Sequence, residues 1–305
     1  MKKVLLVINI VSGKAQLSRK MVTIMEYYTL HGYEPTVHII DPGKKLTLET
    51  FDKKDIEDYD LVVVGGGDGT LNHMIDHLMN LNLKPLIGYI PAGSTNDFAR
   101  SIGIPADIIK ACKVSLYGEP FTYDIGKLND KYFNYVAAFG AFSEISYATN
   151  QDMKNALGYA AYMISAVTEF NQNIRYSRHM KIESDSFSIE DDFVFGAVSN
   201  SVSVGGIKLF EGRDVGLDDG KLELLLIKAP QSVADLQIIM NFLGKGDLDN
   251  SYVSLHQIER LKITSDEDIA WAIDGEYGGS SKYTQISIID KAVTIMSGSS
   301  MNDKS

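Results

Sequence analysis

Continuous apolar runs alternate with stretches of helical spacing over the first third of the chain. Residues 4–8, 61–64 and 86–90 are unbroken or nearly unbroken apolar runs, and 36–40 reads as a further strand. A strand wetted on one face alternates apolar with polar positions, whereas an unbroken run is buried on both faces. Between the runs, Met21, Ile24, Met25, Tyr28 and Leu30 recur at nearly helical spacing and predict a helix over 17–31. Further helices are predicted over 71–81 and from near Asp97. Doubly buried strands separated by helices predict a doubly wound, mostly parallel α/β domain over residues 1–120, with right-handed crossovers.

Near Tyr117 the grammar changes. Strand patterns follow at 121–125, 132–138, 180–184, 193–199, 222–227, 257–263, 269–273 and 285–289, many separated by Gly, Asn or Asp turns. One helical interruption is predicted over 158–170. This succession predicts an all-β, sandwich-like second domain over 121–291. The last apolar segment, within 292–298, either closes that domain or returns to the first.

Composition narrows the class of protein. Of the 305 residues, 45% are hydrophobic and 23% charged, the balance of a globular chain with a substantial core. A formal net charge of -11 makes the chain as a whole repel nucleic acid and anionic lipid, although Lys14, Arg19 and Lys20 form a local basic cluster. The single cysteine, Cys112, excludes an intramolecular disulfide framework and a cysteine-rich zinc site. It reads as a small buried apolar group in a reducing cytoplasm. The opening lysines and the run 4–8 look superficially like a signal peptide, but the run is short and lacks a small-residue cleavage site. A first strand is expected there. No stretch reaches the roughly 18 apolar residues of a membrane-spanning helix. A lipid substrate would therefore be met transiently at the membrane surface, from the cytoplasm.

The candidate chemistry lies at strand ends. After the run 61–64 come Gly65, Gly66, Gly67, Asp68, Gly69 and Thr70, then a helix. Glycines let the backbone approach a ligand with no Cβ in the way, and the helix start offers free N–H groups to an anion. A carboxylate among phosphates fits only through a metal or a proton, so Asp68 points to Mg²⁺-assisted phosphoryl transfer. Read blandly, the segment is a glycine turn with Asp68 as a cap. The pattern recurs after 86–90, where Gly93, Ser94, Thr95, Asn96 and Asp97 supply hydroxyls, an amide and a second carboxylate. A third small, polar loop, Asn9 to Lys14, follows the first strand and includes Ser12 and Gly13. In an open parallel sheet, loops at the carboxyl edge form the ligand crevice. Three of them point to a nucleotide site far more strongly than one alone.

Gly66-Gly67-Asp68-Gly69-Thr70-Leu71-Asn72, taken with Gly93-Ser94-Thr95-Asn96-Asp97-Phe98-Ala99-Arg100, resembles the diacylglycerol kinase catalytic domain. Soluble bacterial lipid kinases and sphingosine kinases share that domain. NAD kinases carry the glycine-aspartate core as well, and the Asn-Asp-Phe-Ala-Arg continuation separates the lipid kinases from them. The resemblance implies an ATP site between two domains, Mg²⁺ as cofactor and a lipid hydroxyl as acceptor, with diacylglycerol giving phosphatidate. It implies phosphate contacts from Asn9, Ser12, Gly13, Gly66, Gly67, Asp68, Gly69, Thr70, Leu71, Asn72 and Ser94. Asp68 and Asp97 would organise Mg²⁺, Asp124 would be a carboxylate near the active site, and Glu276, in Asp274-Gly275-Glu276, the general base. A structural Mg²⁺ would be held by Asp219 and by the carbonyls of Gly216 and Lys221. Read alone, the 217–221 segment is a plain Asp-Gly turn.

Phe139, Phe142, Tyr159 and Tyr162 are candidates for an acyl-chain wall, although residue by residue ordinary core aromatics are the commoner case. Four departures stand out: Ile10 where the family usually has proline, Ser94 for threonine, His73 for glutamate, and no evident counterpart around Ile40 and Asp41 of the threonine usual near the end of the second strand. The acceptor stays open among diacylglycerol, another glycerolipid, a long-chain base and NAD. A catalytically degenerate nucleotide- or lipid-binding regulator is the other class of reading, and a second copy of the chain is an open partner.

Overall fold

The computed structural model describes residues 1–41, 43, 48, 52–93, 96–140, 177–200, 216–245, 250–274 and 276–298. The chain divides into two compact units, Met1–Tyr123 with Lys291–Ser305, and Asp124–Asp290.

In the first unit, β1 (Lys2–Asn9), β2 (Tyr33–Ile40), β3 (Leu61–Gly66) and β4 (Leu86–Pro91) pair in parallel, with β1 between β2 and β3. The end of the last strand, β13 (Glu276–Ser297), adds to β4, also in parallel, through Thr294 and Ile295. The order is thus β2-β1-β3-β4-β13. Val62, Val63 and Val64 are 0% exposed, as a strand buried on both faces requires. The helices are α1 (Gln16–Leu30), α2 (Lys53–Glu57), α3 (Asp68–Asn80), α4 (Asp97–Ser101) and α5 (Ile108–Tyr117).

Two of these lie outside the sequence expectations. Helix α2 opens with a capping box, Asp52 and Asp55 each binding the other's backbone N–H. Helix α5 buries Ile108, Ala111, Cys112 and Ser115, at helical spacing. Tyr28 of α1 meets Ser115 of α5 through their hydroxyls at 2.6 Å. Burial pushes the neighbouring Cys112 thiol up to about 12, so it stays a neutral core group.

The second unit is antiparallel. Its strands are β5 (Glu119–Leu128, entering from the first unit), β6 (Lys131–Phe133), β7 (Val136–Gly140), β8 (Arg178–Glu183), β9 (Ser188–Ser199), β10 (Leu222–Lys228), β11 (Val253–Ile258), β12 (Arg260–Ile273) and the start of β13. Strands β9 and β12 are bridged twice, by β7 at one end and by β8 at the other. Phe139, Phe193, Leu224, Ile263 and Trp271 share one core cluster. Other residues of the same strands, Val194, Phe195, Leu225 and Ile227, join Ile239 and Phe242 of helix α6 (Val233–Lys245) in another. This explains why β10 is buried almost end to end.

Several boundaries differ from the pattern. The run 132–138 is two strands, because the amides of Asn134, Tyr135 and Val136 turn to the Asp274 carboxylate. The run 257–263 is broken at Glu259, since β11 pairs with β10 and β12 with β8 and β13. The run 269–273 is no separate strand; it continues β12 past an irregularity after Thr264. Helix α6 was not expected, and the predicted helix 158–170 lies outside the described residues.

Candidate functional site

The strand order places the first-unit loops. In β2-β1-β3-β4 the chain leaves β1 towards one edge and β3 towards the other, so a crevice opens between the carboxyl ends of β1 and β3. Asn9 ends β1, and its Nδ2 donates to Oγ1 of Thr70 in α3 at 3.0 Å, tying the first loop to the second. Asn9 Oδ1 accepts from the Val11 amide at 3.2 Å, which curls the first loop back.

Glycines let in the loop after β4. Gly13 sits at φ +56, and a Cβ there would lie 1.9 Å from the Ala92 carbonyl oxygen. A Cβ on Gly93 would lie 2.8 Å from the Gly67 Cα. Loops one and two therefore both abut the loop after β4, closer than side chains permit. Asn96 fastens that loop: its Oδ1 accepts from Gly93 N–H at 2.8 Å, and its Nδ2 donates to Gly93 C=O at 2.9 Å. Asn96 itself is left-handed, at φ +51, a conformation asparagine tolerates better than most residues.

Helix α3 starts at Asp68 after Gly67, with no side-chain cap. The Thr70 and Leu71 amides bond back to the Gly67 carbonyl at 3.0 and 3.2 Å. A Cβ on Gly69 would meet nothing within 4 Å, so the first turn faces open space. An uncapped helix start over such space suits an anion. Tyr89 of β4, 1% exposed, reaches under this turn. Its hydroxyl lies 3.3 Å from Gly66 C=O and 3.3 Å from Asp68 Oδ1. Burial, and then the Asp68 charge, push the phenol well above its ordinary range, so it remains a donor. His73 is exposed on α3. Ser94, Thr95 and the Asp97 side chain lie outside the described residues.

The second unit brings Asp124 and Asp219 to one loop. Asp124, 0% exposed, accepts from Gly220 N–H at 2.8 Å, and its own amide donates to Leu217 C=O at 2.8 Å. Asp219 accepts from the amides of Gly216 (3.1 Å) and Lys221 (3.0 Å), one on each carboxylate oxygen. Asn200 Nδ2 donates to Asp124 C=O at 2.7 Å. Asp124, singled out as a carboxylate near the active site, thus anchors the very loop singled out as a cation site. Each Asp219 oxygen keeps a lone pair, so the donor set fits a hard cation added to the turn.

Ile273 of β12 faces Glu276 of β13 in the antiparallel pairing of the two strands. Asp274 is left-handed, at φ +48. Its carboxylate accepts from the Asn134, Tyr135 and Val136 amides at 2.8, 3.0 and 2.8 Å. Burial and the Glu276 charge raise it to about 6 against the pull of those three donors. Glu276, two residues on, is exposed.

Phe139 is a core residue, 0% exposed, with Trp271 edge-on at 5.0 Å; Phe142, Tyr159 and Tyr162 lie outside the described residues. Sequence reasoning passed over Tyr89 and Asn200, which carried no signal: one sits in an apolar run, the other at the end of a buried strand. Asp274 did carry one, its Asp-Gly step.

Residues 3–128 match the family model described as "Diacylglycerol kinase catalytic domain". A "Diacylglycerol kinase" of Staphylococcus carnosus (strain TM300) is 31% identical over 280 residues, 91% of this chain and 90% of that one. One of Bacillus subtilis (strain 168) is 29% identical over 280 residues, covering 92% and 91%. The fold is that of a crystal structure of a diacylglycerol kinase from Bacillus anthracis str. Sterne, with a TM-score of 0.76 at 23% identity and 98% of both chains covered. With 31% identity over nearly the full length of both chains and the catalytic-domain match, this chain belongs to the diacylglycerol kinase family.

Proposed function

We propose that this chain is an ATP- and Mg²⁺-dependent lipid kinase that moves the γ-phosphoryl group to a lipid hydroxyl, with diacylglycerol as acceptor and phosphatidate as product. The observation that carries the reading is the convergence of loops from β1, β3 and β4 on one edge of a parallel sheet. There an uncapped helix begins with Asp68. In this reading Asn9, Ser12, Gly13, Gly66, Gly67, Gly69, Thr70, Leu71, Asn72 and Ser94 hold the phosphates. Asp68 and Asp97 hold the Mg²⁺ that, when bound, neutralises charge on the β- and γ-phosphates. Gly216, Asp219 and Lys221 take a structural Mg²⁺, supported by the lone pairs that remain on Asp219. Glu276 accepts the acceptor's hydroxyl proton as the oxygen attacks phosphorus, which its exposure leaves room for.

The test is mass spectrometry of a total lipid extract after incubation with the protein, ATP and Mg²⁺. Phosphatidate is the expected product; phosphorylated NAD with no phosphorylated lipid would reject the reading. Glu276→Ala is expected to lower kcat by about 100-fold or more. Full activity in that variant would remove Glu276 as the base.

A further inference from the structure

We infer that Tyr89 is a positioning residue for Asp68, its hydroxyl holding that carboxylate at the start of α3 where the nucleotide's metal is to be met. The inference rests on the nucleotide reading of that loop. Phenylalanine would fill the same volume in β4, so packing alone gives no reason for a phenol at a position 1% exposed. The hydroxyl has a purpose only through its hydrogen bonds, and these go to two acceptors, Gly66 C=O and Asp68 Oδ1, at 3.3 Å each. One hydroxyl carries one proton. It serves either the carbonyl or the carboxylate, and the charged acceptor makes the stronger bond.

The position matters because of what surrounds Asp68. The residue before it, Gly67, has no side chain to cap the helix, and Gly69 after it faces open space. Tyr89 approaches from the sheet, the rigid side of the turn, and both its partners flank Gly67. A donor on a buried strand can therefore fix where the carboxylate points before any ligand arrives, which lowers the ordering cost of binding.

Tyr89→Phe removes the oxygen and keeps the ring. Binding is read with Mn²⁺ and a non-hydrolysable ATP analogue, by the paramagnetic signal of bound Mn²⁺, in the full chain. The expected result is about tenfold weaker Mn²⁺–nucleotide binding, with the melting temperature and the KM for lipid unchanged. Asp68→Asn and the double variant complete a cycle. If Tyr89 acts through Asp68, its removal adds nothing once the carboxylate is gone. Additive losses, unchanged binding in Tyr89→Phe, or a lower melting temperature with additive losses would make the hydroxyl a core hydrogen bond to Gly66 and overturn the assignment. Failure of the lipid-kinase reading is distinct: nucleotide and Mn²⁺ bind to the unaltered chain and no lipid is phosphorylated, with the cycle still readable. Absence of Mn²⁺–nucleotide binding to the unaltered chain would overturn both.

Discussion

At Gly13 the backbone is left-handed and the space for a Cβ is taken by a carbonyl oxygen 1.9 Å away. Gly13→Ala is therefore expected to cost about 2 kcal/mol or more, from the conformation and the displaced loop together, read by urea unfolding. Gly69 gives the contrast. Nothing lies within 4 Å of its missing Cβ, so Gly69→Ala is expected to stabilise α3 by about 0.5–1 kcal/mol. The same methyl group would stand where the proposed site receives phosphate, so the KM for ATP should rise while stability improves. Equal ATP affinity in Gly69→Ala would argue against phosphate at that turn.

Asp274 titrates at the residue scale too. Its folded-state value, raised to about 6, lies above the ordinary carboxylate value of 3.8. The folded form thus binds a proton more readily than the unfolded one. The resulting stabilisation is complete below pH 4 and lost as pH rises through 6. Unfolding free energy is expected to fall by on the order of 2 kcal/mol between pH 4 and pH 7 from this group. Asp274→Asn should lack that component, its amide also mismatching the three backbone donors. Urea unfolding of both proteins across that range checks it.

Among the elements, the end of β13 couples most to the rest of the first unit. Thr294 and Ile295 pair with β4, Ile295 is 0% exposed, and Ser297 donates to Glu119 C=O at 3.0 Å. Truncation after Asp290 is expected to expose the edge of β4 and abolish cooperative unfolding of the first unit, seen as lost hydrogen-exchange protection in β3 and β4. The stretch 292–298, which by pattern alone suited either domain, returns to the first because its apolar residues complete a sheet buried on both faces. The same competition decided the boundaries that pattern missed. Helix α2 was legible in its Asp52–Asp55 box, and α5 in the spacing of Ile108, Ala111, Cys112 and Ser115. The break at Asn134 and Tyr135 was not, since it depends on the Asp274 carboxylate, 140 residues beyond Asn134 in the chain.

For the whole molecule, the net charge of -11 sets the terms of any encounter with a membrane. Flotation with phosphatidylglycerol vesicles is expected to show binding that strengthens as salt is raised from about 10 to 150 mM, because screening weakens repulsion over a Debye length of about 8–30 Å. Binding that weakens with salt would point instead to a local basic face.

The order of strands and helices in the first unit, the three glycine-bearing loops and the carboxylate among them were written in local pattern. Strand burial, helix spacing and turn chemistry are properties of neighbouring residues, so they need no fold to be read. The β-rich character of the second unit was legible for the same reason. Its doubly bridged strands, the grip of Asn134, Tyr135 and Val136 on Asp274, the anchoring of the Asp219 loop by Asp124, and the placing of Tyr89 beneath Asp68 were not. Each joins residues far apart in the chain, and only the folded register of strands brings their polar groups within hydrogen-bond reach.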